Sequence, residues 1–211
     1  MLILSDKKKI FSGGTRHCYA YPDDPDKVIK VLMPHRTGAA RKKSEKSLKK
    51  FRPAYLFDDQ LKEIKAYNGL IKRKNRNVWN HIPEFFGTQK TDMGLGIVTR
   101  LLRNHDGSLP PNLQQLLPNG ITPALAKGIR EFRLWLQSEL IETRDLLPHN
   151  IVVITREDGS KKLYIVDGLG NSEFIPLSSY SSFLLRRKIQ QKIVNFWDRA
   201  EKLMSGEVKA W

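Results

Sequence analysis

The chain has 211 residues, 40% of them hydrophobic and 9% aromatic, which is enough apolar material for a buried core and excludes a wholly disordered protein. Its single cysteine excludes an internal disulfide, and the lack of a long apolar run excludes a signal peptide and a membrane span, so we expect a soluble cytoplasmic protein. The formal net charge of +15 predicts an anionic partner: nucleic acid, a phosphorylated small molecule or an anionic membrane surface.

The first elements that the sequence predicts are two short strands, Lys9–Phe11 and His17–Tyr21, joined by a glycine-containing segment. Gly13 and Gly14 lie at the tip of this hairpin. Glycine allows backbone N–H groups to approach a ligand closely, so the tip could lie over a phosphate. Two adjacent glycines are also typical of an ordinary turn, and the sequence leaves both interpretations open.

The third predicted strand, Lys27–Leu32, follows a turn at residues 22–26 and contains Lys30 inside an apolar run. Alternation along a strand places Lys30 on the same face as Val28 and on the opposite face to Ile29. A lysine in this position is either a charge on an edge strand or a cation that faces a cleft.

A basic insertion follows at residues 34–57. Its part from Pro34 to Arg52 carries eight Lys or Arg residues against one acidic residue, Glu45. Because this part shows little apolar periodicity, we predict a mobile or loosely helical segment. It is either a solvated charge run or a surface for an anionic partner.

Apolar residues at helical spacing predict a helix over Asp58–Lys74. Acidic residues at its start and basic residues at its end match the helix dipole. Glu63 adjoins the apolar face of this helix. It is therefore either the partner of an inward-pointing lysine or a solvent-exposed side chain.

Two further strands, at residues 82–88 and 95–102, are predicted before a Pro-rich connection. Amphipathic patterns then predict helices at residues 124–141 and 182–203. The five histidines and the cysteine show no metal-ligand spacing. We expect a structural or incidental role for each of them.

A second hairpin is predicted from the β-branched runs Ile151–Ile154 and Leu163–Val166 and from the turn signal between them. A hairpin brings its open ends together, so Asn150 and Asp167 should be neighbours, with Asp145 in the preceding loop. Converging oxygen ligands suit a magnesium ion that binds phosphates. Turn-forming Asp and Asn residues are equally typical of a surface hairpin.

Taken in chain order, these features resemble the motifs of protein kinases. The ordered set is the glycine hairpin, Lys30, Glu63, the segment Arg144–Asn150 and the pair Asp167-Gly168. The spacing from Asp145 to Asn150 is similar to that of the kinase catalytic loop. Asp167-Gly168 resembles the metal-binding motif of kinases without its phenylalanine.

The resemblance implies the α+β class and a two-lobed protein-kinase-like fold of minimal size. A small β-rich N-lobe would span residues 1–99 and include the basic insertion. Residues 100–106 would form a hinge, and a mainly helical C-lobe would span residues 107–211. The ligands that such a fold implies are ATP and Mg²⁺.

The resemblance also assigns roles toward the nucleotide. Lys30 would contact the α- and β-phosphates and be held by Glu63. Backbone N–H groups of the hairpin tip would cover the phosphates, and the residues concerned are Gly13, Gly14 and Thr15.

Further roles concern the metal, the acceptor and the adenine. Asn150 and Asp167 would hold Mg²⁺, and Asp145 would orient or deprotonate the acceptor hydroxyl. Val28 and Val152 would form the roof and the floor of the adenine site.

At finer grain the sequence resembles the YrbL family of PhoP regulatory network proteins. The segments that carry this resemblance are Leu4–Tyr19, Pro22–Val31, Glu63–Leu70, Phe86–Gly96 and Asp145–Val152. The resemblance implies a small kinase-like protein connected with bacterial stress or envelope regulation, without a settled substrate.

Some kinase features are missing from the chain. The glycine loop lacks the full G-x-G-x-x-G pattern, and only 43 residues follow Gly168, without an Ala-Pro-Glu motif. We therefore expect an ATP-dependent phosphotransferase whose acceptor is a phosphorylated small molecule, a lipid head group or RNA rather than a protein hydroxyl. Two alternatives stay open: a non-catalytic nucleotide-sensing regulator, and a basic nucleic-acid-binding protein built on residues 35–52.

Overall fold

The computed structural model describes residues 1–44, 57–144, 146–170 and 181–207. The chain forms two compact units. The first comprises Met1–Asn68 and Glu84–Leu101, and the second comprises Gly69–Pro83 and Leu102–Trp211. The α+β class is confirmed, because the N-terminal part is rich in strands and the C-terminal part is mainly helical.

The first unit is built on an antiparallel sheet of five described strands. Their bounds are β1 Lys9–Ser12, β2 Arg16–Tyr21, β3 Asp24–Leu32, β4 Phe85–Thr91 and β5 Gly94–Arg100. The strand order is β1-β2-β3-β5-β4. On β3, Lys30 lies opposite Cys18 of β2 and opposite Ile97 of β5. Lys30 is therefore on the central strand, and the edge-strand interpretation is wrong.

Two strands, β3 and β4, begin three residues away from their predicted positions, and proline explains both. β3 already begins at Asp24, inside the predicted turn, because Pro25 lies before the section that pairs with β5 and so removes no hydrogen bond there. β4 begins only at Phe85 instead of residue 82, because Pro83 has no N–H to donate to the sheet. Ile82 is nonetheless buried.

Two helices accompany the sheet, α1 at Gly38–Ser44 and α2 at Asp59–Lys72. The side chain of Asp58 accepts hydrogen bonds from the N–H groups of Gln60 and Leu61, 2.9 Å and 3.0 Å long, which start α2. Among the described residues of the basic insertion, α1 is helical and is preceded by a 3₁₀ turn at Pro34–Arg36. Residues 45–56 of the insertion lie outside the described residues.

The N-terminal segment is held against the turn between β4 and β5. The carboxylate of Asp92 accepts hydrogen bonds from the N–H groups of Leu4 and Ser5, with lengths of 2.8 Å and 3.1 Å. The side chain of Leu4 is fully buried in a cluster whose other members are Tyr19, Ile29, Val31 and Val98. This apolar cluster is the core on one face of the sheet.

The second unit combines helices with the predicted second hairpin. Its helices are α3 Leu113–Leu116, α4 Pro123–Ser138 and α5 Ser182–Met204, and its hairpin strands are β6 Ile151–Thr155 and β7 Lys161–Ile165. α4 ends three residues before the predicted position, and Leu140 just beyond it has a φ of +49°. α5 agrees with the prediction to within one residue. In the part of the chain that the structure describes, none of the helices combines the length and apolarity needed to cross a bilayer.

His81 is a buried structural residue of the second unit. Its Nδ1 donates a hydrogen bond of 2.7 Å to the carbonyl oxygen of Leu163. Its ring packs against Trp135 and Phe132, with centroid distances of 4.9 Å and 5.5 Å. Burial lowers the pKa of His81 below the usual histidine value, and the nearby charge of Lys162 lowers it further, against the raising effect of the Leu163 hydrogen bond.

The lowered pKa of His81 predicts a loss of stability in acid. Because the folded protein holds His81 neutral, the unfolded state binds the proton more readily. Its contribution to the free energy of unfolding is therefore complete above the unfolded pKa of about 6.5 and is lost as the pH falls below that value. We expect the free energy of unfolding, measured by urea denaturation, to fall less between pH 7.5 and pH 5.5 in His81→Gln than in the wild type. Equal drops would mean that His81 does not titrate with unfolding.

Candidate functional site

A buried ion pair links the central strand to helix α2 in the first unit. The Nζ of Lys30 lies 3.1 Å from Oε1 of Glu63, and the two side chains are 8% and 0% exposed. This geometry excludes the solvent-exposed interpretation of Glu63. The Nζ of Lys30 also lies 5.9 Å from the ring centroid of Tyr67, one turn further along α2, so the ammonium group has an aromatic neighbour as well as a carboxylate.

Arg16 joins this pair and was not among the residues predicted from the sequence. Its Nη1 lies 2.7 Å from Oε2 of Glu63, and its side chain is 5% exposed. Cys18 lies opposite Lys30 in the sheet, so strand alternation places Arg16, two residues before Cys18, on the same face as Lys30. Alternation along β2 is the part of this signal that the sequence carries. An arginine directly after a glycine turn resembles a surface residue, which concealed its position.

The glycine hairpin forms as predicted, since β1 pairs antiparallel with β2. The N–H of Gly13 donates to the carbonyl oxygen of Arg16 at 3.0 Å and so closes the turn. The space around the α-carbon of Gly14 is open. The carbonyl oxygen of Thr15 accepts from the N–H of Met33 at 2.9 Å, which fixes the hairpin to the end of β3. Contact of Gly14 and Thr15 with a phosphate stays a prediction.

The two valines assigned to adenine lie on different strands. Val28 is 8% exposed on β3, on the same face as Lys30 as the alternation predicted. Val152 is half-buried on β6 and pairs with Tyr164 of β7. Their role toward adenine stays a prediction.

In the second unit the hairpin brings the segments that carry Asn150, before β6, and Asp167, after β7, next to each other, as predicted. Ile151 pairs with Ile165, and the N–H of Val166 donates to the carbonyl oxygen of Asn150 at 2.9 Å. Asp167 follows directly. An amide oxygen and a carboxylate at one end of a hairpin are hard oxygen donors, the kind that Mg²⁺ prefers.

Arg144 fixes the segment around Asp167. Its Nη2 lies 3.5 Å from Oδ1 of Asp167, and its Nε donates to the carbonyl oxygen of Leu169 at 3.1 Å. The same Asp167 oxygen accepts from the N–H of Gly168 at 2.6 Å. Arg144 is 7% exposed, so it is a buried guanidinium that orients this carboxylate. In the sequence, Arg144 is recognisable only as the first residue of the Arg144–Asn150 motif.

The predicted acceptor-binding residue, Asp145, lies outside the described residues. Its chain neighbour Arg144 pairs by backbone with the segment after Asp167, since the N–H of Arg144 donates to the carbonyl oxygen of Gly168 at 2.6 Å. Among the residues with described positions, no group of three or more His, Cys, Asp or Glu side chains could hold a metal ion. A magnesium ion that takes most of its ligands from phosphates and water needs only one or two protein oxygens, which Asn150 and Asp167 fit.

Comparison with known proteins gives relatives over most of the chain. The YrbL protein of Escherichia coli strain K12 is 27% identical over 192 residues, which cover 89% of this chain and 82% of that protein. The YrbL protein of Shigella flexneri shows the same identity and coverage. A solved double mutant of the PknI kinase domain from Mycobacterium tuberculosis is 14% identical with a TM-score of 0.42, and the match covers 76% of this chain and 56% of that one.

The family match extends over nearly the whole sequence. Residues 2–201 match the family described as PhoP regulatory network protein YrbL. This range contains every segment that carried the resemblance and both side-chain groups described above. The chain therefore belongs to the YrbL family of PhoP regulatory network proteins.

Proposed function

We propose that the protein is a kinase-like, ATP-dependent phosphotransferase that serves bacterial stress or envelope regulation. The observation that carries this proposal is the buried pair of Lys30 and Glu63, 3.1 Å apart. A buried ion pair is weak support for stability, because apolar residues of similar volume can often replace it. A lysine that a carboxylate holds in place is well suited to contact phosphate oxygens.

Three further residues would supply the remaining groups. Asn150 and Asp167 would hold Mg²⁺, and the ion would neutralise negative charge on the phosphates when it is bound. Arg144 would keep Asp167 oriented through the contacts described above. Asp145 would position or deprotonate the acceptor hydroxyl.

We propose an anionic acceptor that is not a protein. The net charge of +15 exceeds what binding of a magnesium nucleotide needs, and the basic insertion is a major source of it. A phosphorylated small molecule, a lipid head group and RNA share the phosphate chemistry that such a charge attracts.

A second candidate function is a nucleotide-sensing regulator without turnover. The contact of Arg144 with Asp167 favours it, because a nearby guanidinium offsets part of the negative charge that Mg²⁺ would use. Both candidates bind a nucleotide, so binding tests them together and turnover separates them.

Nucleotide binding is tested by thermal stability with Asp167→Ala. A ligand at a hundred times its dissociation constant adds about 2.7 kcal/mol to the free energy of unfolding. We expect ATP with magnesium to raise the melting temperature of the wild type, and Asp167→Ala to lose most of that rise because a metal ligand is missing. The measured quantity is the rise in melting temperature when ligand is added to each variant. The melting temperature without ligand is not compared, because Asp167→Ala also removes the hydrogen bond that the N–H of Gly168 donates.

Two variants control this experiment. Asp167→Asn keeps an oxygen that can accept the Gly168 hydrogen bond but removes the charge, so it should also lose the magnesium-dependent shift. Asp106→Ala removes an exposed aspartate of the same unit and should keep the shift. Lack of any shift in the wild type at millimolar ATP would contradict both nucleotide-binding functions.

A further inference from the structure

In the described contacts Glu63 has two cationic partners, one for each carboxylate oxygen. Oε1 faces Lys30 of β3 at 3.1 Å, and Oε2 faces Arg16 of β2 at 2.7 Å. All three side chains are at most 8% exposed. The kinase resemblance pairs Glu63 only with Lys30, so the role of Arg16 is left to explain.

The sheet register makes this arrangement a built feature of the first unit. Cys18 of β2 lies opposite Lys30, and Arg16 lies opposite Leu32. Arg16 and Lys30 are therefore diagonal neighbours on one face of adjacent strands, within reach of long side chains. Glu63 reaches this face from α2, and both cations meet it there.

The second cation matters when Lys30 contacts another anion. If Lys30 were the sole partner of Glu63, turning its ammonium group to a phosphate would leave a fully buried carboxylate without a counter-charge, which is strongly unfavourable. With Arg16 on the other oxygen, the carboxylate keeps an ion pair throughout. An arginine suits this role because its guanidinium stays charged and holds a fixed geometry.

We propose that Arg16 is a positioning residue that holds Glu63 in place while Lys30 turns its ammonium group to a phosphate. The inference rests on the proposed function, in which Lys30 contacts nucleotide phosphates. Arg16 acts through Glu63 and not on the ligand. Its removal should therefore weaken nucleotide binding only when the Glu63 carboxylate is present.

A double-mutant cycle on the full chain tests this dependence. The measured quantity is the dissociation constant of a non-hydrolysable ATP analogue with magnesium, taken well below the melting temperature of every variant. Arg16→Met should weaken binding roughly tenfold, within the coupling range of residues in one ion-pair network. In the Glu63→Gln background the same change should alter binding less than about twofold, because no buried charge is left behind.

Lys62→Met is the matched control. Lys62 also pairs with an α2 carboxylate, that of Asp59 at 3.3 Å, but it does not contact Glu63 in the described contacts, so the substitution should leave binding unchanged. An equal loss from Arg16→Met in both backgrounds would overturn the proposal, since Arg16 would then act on the ligand or on the fold in general. No loss in the wild-type background would overturn it as well.

A stability cycle without nucleotide tests the shared carboxylate itself. Arg16→Met and Lys30→Met should lower the melting temperature together by more than the sum of their separate effects, because only the double variant removes both partners. Adding Glu63→Gln to the double variant should recover part of the loss. Additive effects on the melting temperature would overturn the inference. A wild type that binds no nucleotide would instead overturn the proposed function, and with it the turning of the Lys30 ammonium group from Glu63 to a phosphate.

Discussion

Replacing Asp145 by Asn should leave nucleotide binding intact and lower turnover by roughly 10²–10⁴-fold. The assignment places Asp145 at the acceptor and not at ATP, and an amide cannot accept the proton of a hydroxyl group. Turnover is measured with labelled ATP and magnesium, both as hydrolysis and as transfer to components of a cell extract. Binding is measured as the ATP-induced rise in melting temperature.

Asp158→Asn is the control for Asp145→Asn. Asp158 is an exposed aspartate in the turn of the same hairpin region, so its replacement should change neither turnover nor binding. If the wild type and Asp145→Asn bind ATP but turn it over equally slowly, the enzyme is excluded and the nucleotide-sensing regulator is supported.

Replacing Gly128 by Ala should lower the free energy of unfolding by roughly 1–3 kcal/mol, the usual cost of overpacking. Gly128 lies on α4 where the helix meets β7, and a Cβ atom there would overlap with the backbone carbonyl oxygen of Lys161. A backbone atom of a paired strand cannot move aside as a side chain can. The loss is expected even though a Gly-to-Ala change favours a helix by about 1 kcal/mol when space is free. Urea denaturation measures it.

Gly69→Ala is the matched control for the helix effect. Gly69 also lies within a helix of the described chain, but nothing is within 4 Å of its added Cβ. Its replacement should therefore raise the free energy of unfolding by about 0.5–1 kcal/mol. If both substitutions raised the free energy of unfolding, helix propensity and not the close approach of β7 would decide the outcome at Gly128.

The second hairpin was predictable from the sequence because its signals are local. The runs around Val153 and Leu163 are β-branched or apolar, and Gly159 at the turn has a φ of +76°, which glycine adopts without strain. Because the two strands of a hairpin run antiparallel, its open ends at Asn150 and Asp167 must then be adjacent. No distant part of the chain needs to be known for this inference.

Of the two described partners of Glu63, the sequence suggested Lys30 but not Arg16. Helical periodicity placed Glu63 beside the apolar face, and strand alternation gave Lys30 its face, but neither pattern states which residues meet. That pairing depends on how α2 packs on the sheet, which is a tertiary property. Arg16 was missed because the strand was predicted to begin at His17, one residue too late.

The contact between Arg144 and Asp167 could not be predicted, since it joins positions 23 residues apart. It depends on backbone pairing of the segments around Thr143 and Leu169. Neither segment has the period of a helix or a strand. Position-specific contacts of this kind leave no signal in a single sequence.

The order of strands in the first unit also has a consequence during synthesis of the protein. β3 can pair with β2 as soon as both strands have been synthesised. Its other neighbour, β5, comes more than sixty residues later in the chain. Until β5 arrives, the strand that carries Val28, Ile29 and Val31 has one unpaired edge. An apolar strand with an unpaired edge readily pairs with other chains. The growing polypeptide is thus prone to aggregation in this interval, and chaperones that cover exposed strands would act on it then.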